Sequence, residues 1–244
     1  MKVPEILIQK YNTAAPRYTS YPPANFFKNN EWDNKQILNI IQQSNERNPQ
    51  HIAIYIHIPF CNKICYYCGC YATKLSKNTD TRSYIEALKK EISMVAAQLD
   101  KSRKVSQIHY GGGTPNALEA SVIKELNEFI LSKFTTIDNP EIAIECNPAY
   151  LDYSYIDALL QAGFNRFSLG IQDFNTSILK TVNRDASQLP LQDVLDYIKQ
   201  ANPQHGVNFD FIYGLPGQTS DSFAYSIEKA IDIKPDRLVT FSYA

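Results

Sequence analysis

The chain has 244 residues, 44% of them hydrophobic, which is enough to bury a substantial core in one large domain. Its formal net charge of −1 gives no sign of a polyanion-binding surface overall, and no run approaches the 18 apolar residues of a membrane-spanning helix. The charge is uneven: residues 1–79 hold nine Lys/Arg against four Asp/Glu, a surplus of +5 that leaves −6 for the rest. That surplus reads either as scatter over solvated faces or as a face turned toward an acidic ligand.

In chain order, residues 1–50 form an N-terminal arm, with the Pro-rich piece "APRYTSYPPA" and a weak helical pattern near 33–45. The opening residues lack the apolar run of a signal peptide, so the expected location is the cytoplasm. From residue 51 onward short strand-like runs alternate with longer helical ones. The strands read "HIAIYIH" (51–57), "VSQIHY" (105–110), "EIAIEC" (141–146), "RFSLG" (166–170), "VNFDFIY" (207–213) and "RLVTFSY" (237–243). Helices are expected over about 79–99, 118–133, 152–162, 175–183 with 190–200, and 219–232. Such alternation predicts βαβ units and a parallel sheet.

The strands have unlike faces. Ile52, Ile54, Ile56 and Ile58 share one side of the first, with Ala53, Tyr55 and His57 opposite. The third sets Ile142, Ile144 and Cys146 against Ala143, Glu145 and Asn147. The fourth sets Phe167, Leu169 and Ile171 against Arg166, Ser168, Gly170 and Gln172. The fifth sets Val207, Phe209 and Phe211 against Asn208 and Asp210. A parallel sheet covered on both faces is apolar throughout. One apolar face instead predicts a curved sheet with helices outside and a polar lumen, with the site at the strands' C-terminal ends. Six strands give an incomplete (β/α)6 barrel over 51–244, and the lack of a helix after "FSYA" suggests a polypeptide that continues.

The chemistry concentrates in "HIPFCNKICYYCGC" (57–70), which holds Cys61, Cys65, Cys68 and Cys70. In a reducing compartment clustered thiols read as metal ligands rather than disulfides. Structural zinc takes two separated pairs, whereas these pairs overlap in one loop, and the only distant cysteine, Cys146, sits on an apolar face. A thiol redox pair at Cys65 and Cys68 leaves Cys61 and Cys70 unexplained. Spacing C-x3-C-x2-C fits three thiolate ligands of a [4Fe–4S] cluster, Cys61, Cys65 and Cys68, with one iron open to a ligand that is not protein. "GGGTP" (111–115) follows the second strand and allows close backbone approach. Glu145, Gln172 and Asp210 come from three strands and converge on one lumen, as groups that bind ribose hydroxyls or an amino-acid moiety would. "YGLPGQT" (213–219) forms a turn after the fifth strand.

With these motifs the chain resembles the radical S-adenosylmethionine (SAM) superfamily over about residues 50–244. Within it, "PRYTSYPPA" (16–24), "CNKICYYCGCYATKL" (61–75), "GGGTPN" (111–116), "IECNP" (144–148), "RFSLGIQDF" (166–174), "VNR" (182–184) and "DFIYGLPGQT" (210–219) look like the oxygen-independent coproporphyrinogen III oxidase (dehydrogenase) family. The resemblance implies that SAM fills the open iron and, on one-electron reduction, yields a 5′-deoxyadenosyl radical. It implies two SAM molecules, with Tyr55, Tyr67, Gly112, Gly113, Thr114, Glu145, Gln172, Arg184, Asp210 and Ala244 as their contacts. Arg184 is the candidate carboxylate clamp, and Cys70 the family's extra, non-ligand cysteine with a candidate catalytic role. The family takes a hydrogen from each propionate on rings A and B of coproporphyrinogen III, and loss of CO2 and an electron gives the vinyls of protoporphyrinogen IX. Implied partners are that porphyrinogen and a reduced donor such as flavodoxin or ferredoxin, on a monomer with no membrane or nucleic acid. The basic arm fits a tetra-anionic substrate, with Arg17 as a candidate contact. The resemblance also implies a C-terminal domain that this chain lacks. The rival reading is a haem-binding trafficking protein on the same fold, disfavoured by Cys70 and the "RYTSYP" arm, which such relatives usually lack.

Overall fold

The computed structural model describes residues 4–11, 32–47 and 50–243. The "APRYTSYPPA" piece, Arg17 and Ala244 lie outside them. The chain divides into two compact units, residues 1–37 and 38–244. In the first, helix α1 (Glu5–Tyr11) exposes Ile6, Leu7 and Ile8, and its seven residues gave no periodic signal in the sequence. Helix α2 (Asn34–Gln43) matches the expected helical stretch and leads into a single 3-10 turn, Ser44–Glu46.

Six parallel strands make the main sheet: β1 (Ile52–Ile58), β4 (Val105–Gly112), β5 (Thr136–Cys146), β6 (Arg166–Gln172), β7 (Gly206–Tyr213) and β8 (Arg237–Ser242). Their spatial order β1-β4-β5-β6-β7-β8 is the order in the sequence, so every crossover joins neighbours. Helices α3 (Thr81–Ala96), α4 (Ala120–Lys133), α5 (Tyr153–Gln161), α6 (Thr176–Thr181) with α7 (Leu191–Ala201), and α8 (Ser220–Ile233) fill those crossovers. Each expected strand and helix from residue 51 on is present, with ends moved by a few residues. The exception is β5, which begins five residues earlier than its apolar pattern: Asp138, Asn139 and Pro140 carry no strand signal, and pairing of Val105 with Thr136 holds them extended.

Local chemistry sets the helix starts. The side chains of Asp80, Asp152 and Asn175 accept from Ser83 N, Tyr155 N and Ser177 N, and Thr219 with Ser222 forms a reciprocal capping box before α8. α8 ends on Lys234 in the left-handed region at φ 62°.

The core lies between the outer face of the sheet and the helices. Ile58, Ile108, Ile144, Phe167, Leu169, Phe209 and Phe211 meet Ile123, Leu126, Ile130, Ile156, Leu159, Val194 and Ile198, all buried. Each such side chain contributes about 1.5–3 kcal/mol by leaving water. The opposite face carries Gln107, His109, Glu141, Glu145, Arg166, Ser168, Asp210 and Arg237, which together line one cavity. Side chains from five adjacent strands share a single cavity only on a concave surface, so the sheet curves as its one-sided hydrophobicity predicts.

Candidate active site

The cysteine loop starts where β1 ends. A second, two-stranded parallel sheet, β2 (Phe60–Cys61) with β3 (Thr73–Lys74), closes its base. Thr73 N donates to Pro59 O at 2.6 Å and Leu75 N to Cys61 O at 2.8 Å. Cys61 is buried; Cys65 is half-buried; Cys68 and Cys70 are exposed. Between them Cys68 N donates to Cys65 O at 3.1 Å, a tight turn that directs these thiols to one side. Burial pushes the Cys61 thiol up, opposed by Thr114, whose hydroxyl lies 3.3 Å from Sγ. Burial likewise raises Cys70, to about 11, helped by Cys68 beside it.

The glycine loop packs under the cysteines. Gly113 N donates to Ile58 O and Thr114 N to Phe60 O, both at 2.8 Å. Gly112 has φ +113°, and a Cβ there would sit 2.7 Å from the His57 ring. A Cβ on Gly113 would sit 3.0 Å from Cys61 Sγ and 2.9 Å from Phe60 O. Glycine is required at both, by conformation at the first and by close approach at the second.

Polar groups of the lumen complete the site. Glu145 Oε1 lies 2.9 Å from His109 Nε2. Asp210 accepts from Ser168 Oγ at 2.8 Å and from Asn208 Nδ2 at 2.7 Å, and burial holds its carboxyl above the usual range. Arg184 Nη2 donates to Gly170 O, and Nη1 points at Cys65 Sγ, 3.5 Å away. Gln172 ends β6 on the lumen side: it keeps the alternation of Ser168 and Gly170 and lines the cavity with them, although the register between β6 and β7 shifts there and its φ is +69°. Tyr67 packs its ring against Ile178, Val182, Ile212 and Leu215. Among the described residues, the hydroxyl of Tyr67, Oε1 of Gln172 and Nε of Arg184 are buried without a hydrogen-bond partner.

One cavity gathers Cys61, Cys65, Cys68, Cys70, Tyr67, Gly112, Gly113, Thr114, Glu145, Gln172, Arg184 and Asp210. Tyr55 stands apart, 57% exposed, with its ring stacked 5.8 Å from His109 and its hydroxyl 3.3 Å from His57 Nδ1. It meets the site through two histidines: His109, which pairs with Glu145, and His57, whose ring lies against Gly112. Nothing in the residues marks His109 as a partner for Glu145, because the two lie 36 residues apart on adjacent strands. Sequence reasoning also missed Asn183 and Asp185: Asn183 Nδ2 donates to Ile64 O at 2.9 Å, and Asp185 pairs with Lys63 at 2.7 Å. Asn183 adjoins Arg184 in "VNR", and its left-handed φ of 58° invites an Asn or Gly, but nothing local points to the cysteine loop.

A family model for the radical SAM superfamily matches residues 55–230. The chain belongs to the radical SAM superfamily. Among curated proteins it is similar to the oxygen-independent coproporphyrinogen III oxidase of Synechocystis sp., at 43% identity over 98% of this chain and 50% of that protein. The enzyme of the same name from Escherichia coli K12 is 38% identical over 98% of this chain and 51% of its own. The chain thus spans about half the length of the curated relatives it matches. Among solved structures, the E. coli coproporphyrinogen III oxidase, described as a radical SAM enzyme, superposes with a TM-score of 0.84 at 35% identity, over 98% of this chain and 52% of that one. Methylornithine synthase, at 13% identity and TM-score 0.52, shares the fold alone.

The superfamily implies a [4Fe–4S] cluster and SAM, and the residues fit both. Among the described residues no three His, Cys, Asp or Glu side chains converge as a single ion would require. The three thiols border one cavity instead, an arrangement that suits thiolates each taking a different iron of a cubane. Beside them, three buried polar atoms lack partners, and buried polar groups are otherwise almost always satisfied. A bound SAM would offer donors and acceptors of the kind these atoms need.

Proposed function

We propose that the chain is the barrel portion of an oxygen-independent coproporphyrinogen III oxidase, which converts the propionates of rings A and B to vinyls in haem biosynthesis. The carrying observation is the single cavity at the strand ends that holds Cys61, Cys65 and Cys68 beside Gln172, Arg184 and Tyr67 with unpaired polar atoms. The relatives named above support the substrate.

Cys61, Cys65 and Cys68 are the cluster ligands in this reading. The cluster and SAM together supply a 5′-deoxyadenosyl radical able to take a hydrogen atom from a propionate side chain. Gly112, Gly113 and Thr114 bring backbone close to SAM; Glu145 and Asp210 accept from its hydroxyls or ammonium; Arg184 and Gln172 face its carboxylate end or a second SAM. The hydrophobic packing of Tyr67 fixes an aromatic wall beside the cysteines. Tyr55 contributes through His109 and Glu145, and Ala244 is a further SAM contact. Cys70 borders the cavity without serving as a ligand, and in this reading its thiol meets the substrate or a radical derived from it. Residues 1–50, with Arg17, form the substrate-facing arm, and 51–244 the barrel. The electron donor is a reduced flavodoxin or ferredoxin, the chain acts as a monomer, and thiolate ligands suit the cytoplasm. Among the described residues no helix is long and apolar enough to cross a membrane.

The test is an anaerobic assay of the polypeptide that carries this chain, with SAM, a reductant and coproporphyrinogen III. Protoporphyrinogen IX and 5′-deoxyadenosine are expected. Tight haem binding with the porphyrinogen unchanged would replace this reading with haem trafficking.

A further inference from the structure

The turn after α6 grips the second half of the cysteine loop, beyond the residues that the glycine loop holds. Val182 O accepts from Tyr66 N at 3.1 Å, Asn183 Nδ2 donates to Ile64 O at 2.9 Å, and Asp185 pairs with Lys63 at 2.7 Å. Four consecutive residues, 182–185, thus meet residues 63–66, since Arg184 also reaches Cys65 Sγ. These contacts differ in worth. Lys63 and Asp185 are nearly half exposed, and such a pair contributes little. The Arg184 contact, at ordinary length for sulfur, acts on the thiol itself, and the Val182 carbonyl holds the backbone after Cys65. The amide of Asn183 is the side-chain bond that fixes the backbone before Cys65, at the Ile64 carbonyl. Its left-handed backbone, φ 58°, is what turns the amide toward the loop while the next residue, Arg184, turns into the cavity. Asn tolerates that conformation far better than most residues.

We propose that Asn183 is a positioning residue for the cluster: it holds the Ile64–Cys65 segment so that Cys65 keeps its place while iron is bound. This rests on the reading of Cys61, Cys65 and Cys68 as ligands. Without the amide the segment gains freedom, Cys65 departs from iron more often, and the cluster is lost faster, although the ligand set is unchanged.

The experiment uses the polypeptide reconstituted anaerobically with iron and sulfide, in wild-type form and as Asn183→Gly and Asn183→Asp. Gly keeps the backbone conformation and removes the amide; Asp keeps the shape and removes the donor. Iron release to an excess of a ferrous chelator is followed by absorbance, and melting of the iron-free proteins is measured alongside. Iron release is expected to be about three- to tenfold faster in both variants, the range set by one lost hydrogen bond, with iron-free melting of the Gly variant within a few degrees of wild type. Release at the wild-type rate from both variants overturns the proposal. Loss confined to a general fall in iron-free melting also overturns it, by making Asn183 a fold residue. A wild-type protein that takes up no iron would instead refute the ligand assignment on which the proposal rests.

Discussion

His109 Nε2 and Glu145 Oε1 stand 2.9 Å apart on the neighbouring strands β4 and β5, with the Tyr55 ring stacked on the imidazole. The pair is half-exposed on the lumen side. The alternation of β5 places Glu145 inward, but only the register of β5 against β4 gives it a basic neighbour. The carboxylate is therefore held in one rotamer while its second oxygen is left for a ligand. Glu145→Ala should weaken SAM binding by about 1–3 kcal/mol, as a lost charged hydrogen bond does. His109→Ala should weaken it less, because it removes only the orientation. Titration calorimetry of both variants checks the order; equal SAM affinity in Glu145→Ala and wild type would remove Glu145 from the site.

Serine at position 61, 65 or 68 should abolish cluster assembly, since a hydroxyl replaces thiolate poorly at iron. About four irons per chain in the wild type should fall to near zero in each variant, by iron and sulfide analysis after reconstitution. Cys70→Ser should keep the iron and impair turnover. The assignment fails if Cys70→Ser loses iron while Cys61→Ser retains it.

A methyl group on Gly113 has nowhere to go. It would sit 2.9 Å from the Phe60 carbonyl and 3.0 Å from Cys61 Sγ, so β2 must shift and carry Cys61 with it. Gly113→Ala is expected to cost about 1–3 kcal/mol of stability, the usual cost of an overpacked site, and to leave the cluster incompletely loaded. Denaturant titration and iron content read the two effects.

Asp210 is raised above the ordinary carboxylate range, chiefly by burial. A carboxyl raised by folding binds a proton that the unfolded chain has already released. Stability therefore falls as pH rises from the unfolded value near 3.9 through the folded one. Asp210→Asn lacks this loss. The difference in Tm, variant minus wild type, should move upward between about pH 4 and pH 7 in protein free of SAM, while SAM affinity falls about 5- to 150-fold, the ratio for a lost charged hydrogen bond of about 1–3 kcal/mol. A Tm difference flat with pH would mean that burial does not oppose the charge.

Deep in the core, Asn127 donates to Ala162 O at 2.8 Å and accepts from the Tyr110 hydroxyl at 3.1 Å. Asn127→Ala strands both partners and should cost about 2–4 kcal/mol, from two buried groups left unpaired. Iron uptake by the molecules that stay folded should be unchanged, a control for the cysteine and glycine variants.

The elements from residue 51 on and the reactive groups were legible in the residues alone. Period two in β1, β5, β6 and β7 set the inward and outward residues, because adjacent side chains of a strand point to opposite faces whatever surrounds them. The order of strands and helices followed from their alternation. The spacing of Cys61, Cys65 and Cys68 within one loop named the candidate ligands, since eight residues of chain cannot carry them far apart. The tertiary structure decided every relationship that needs two distant segments. The early start of β5 at Thr136 depends on pairing with Val105, and the left-handed backbone of Gln172 accompanies a register shift against β7. His109 meets Glu145, Arg184 reaches Cys65, and Asn183 holds Ile64 across 119 residues of sequence, because strand register and the path of α6 bring them together. A hydrogen bond falls off within a few tenths of an ångström, so such partners are fixed by the packed fold and leave no periodic trace in the residues that make them.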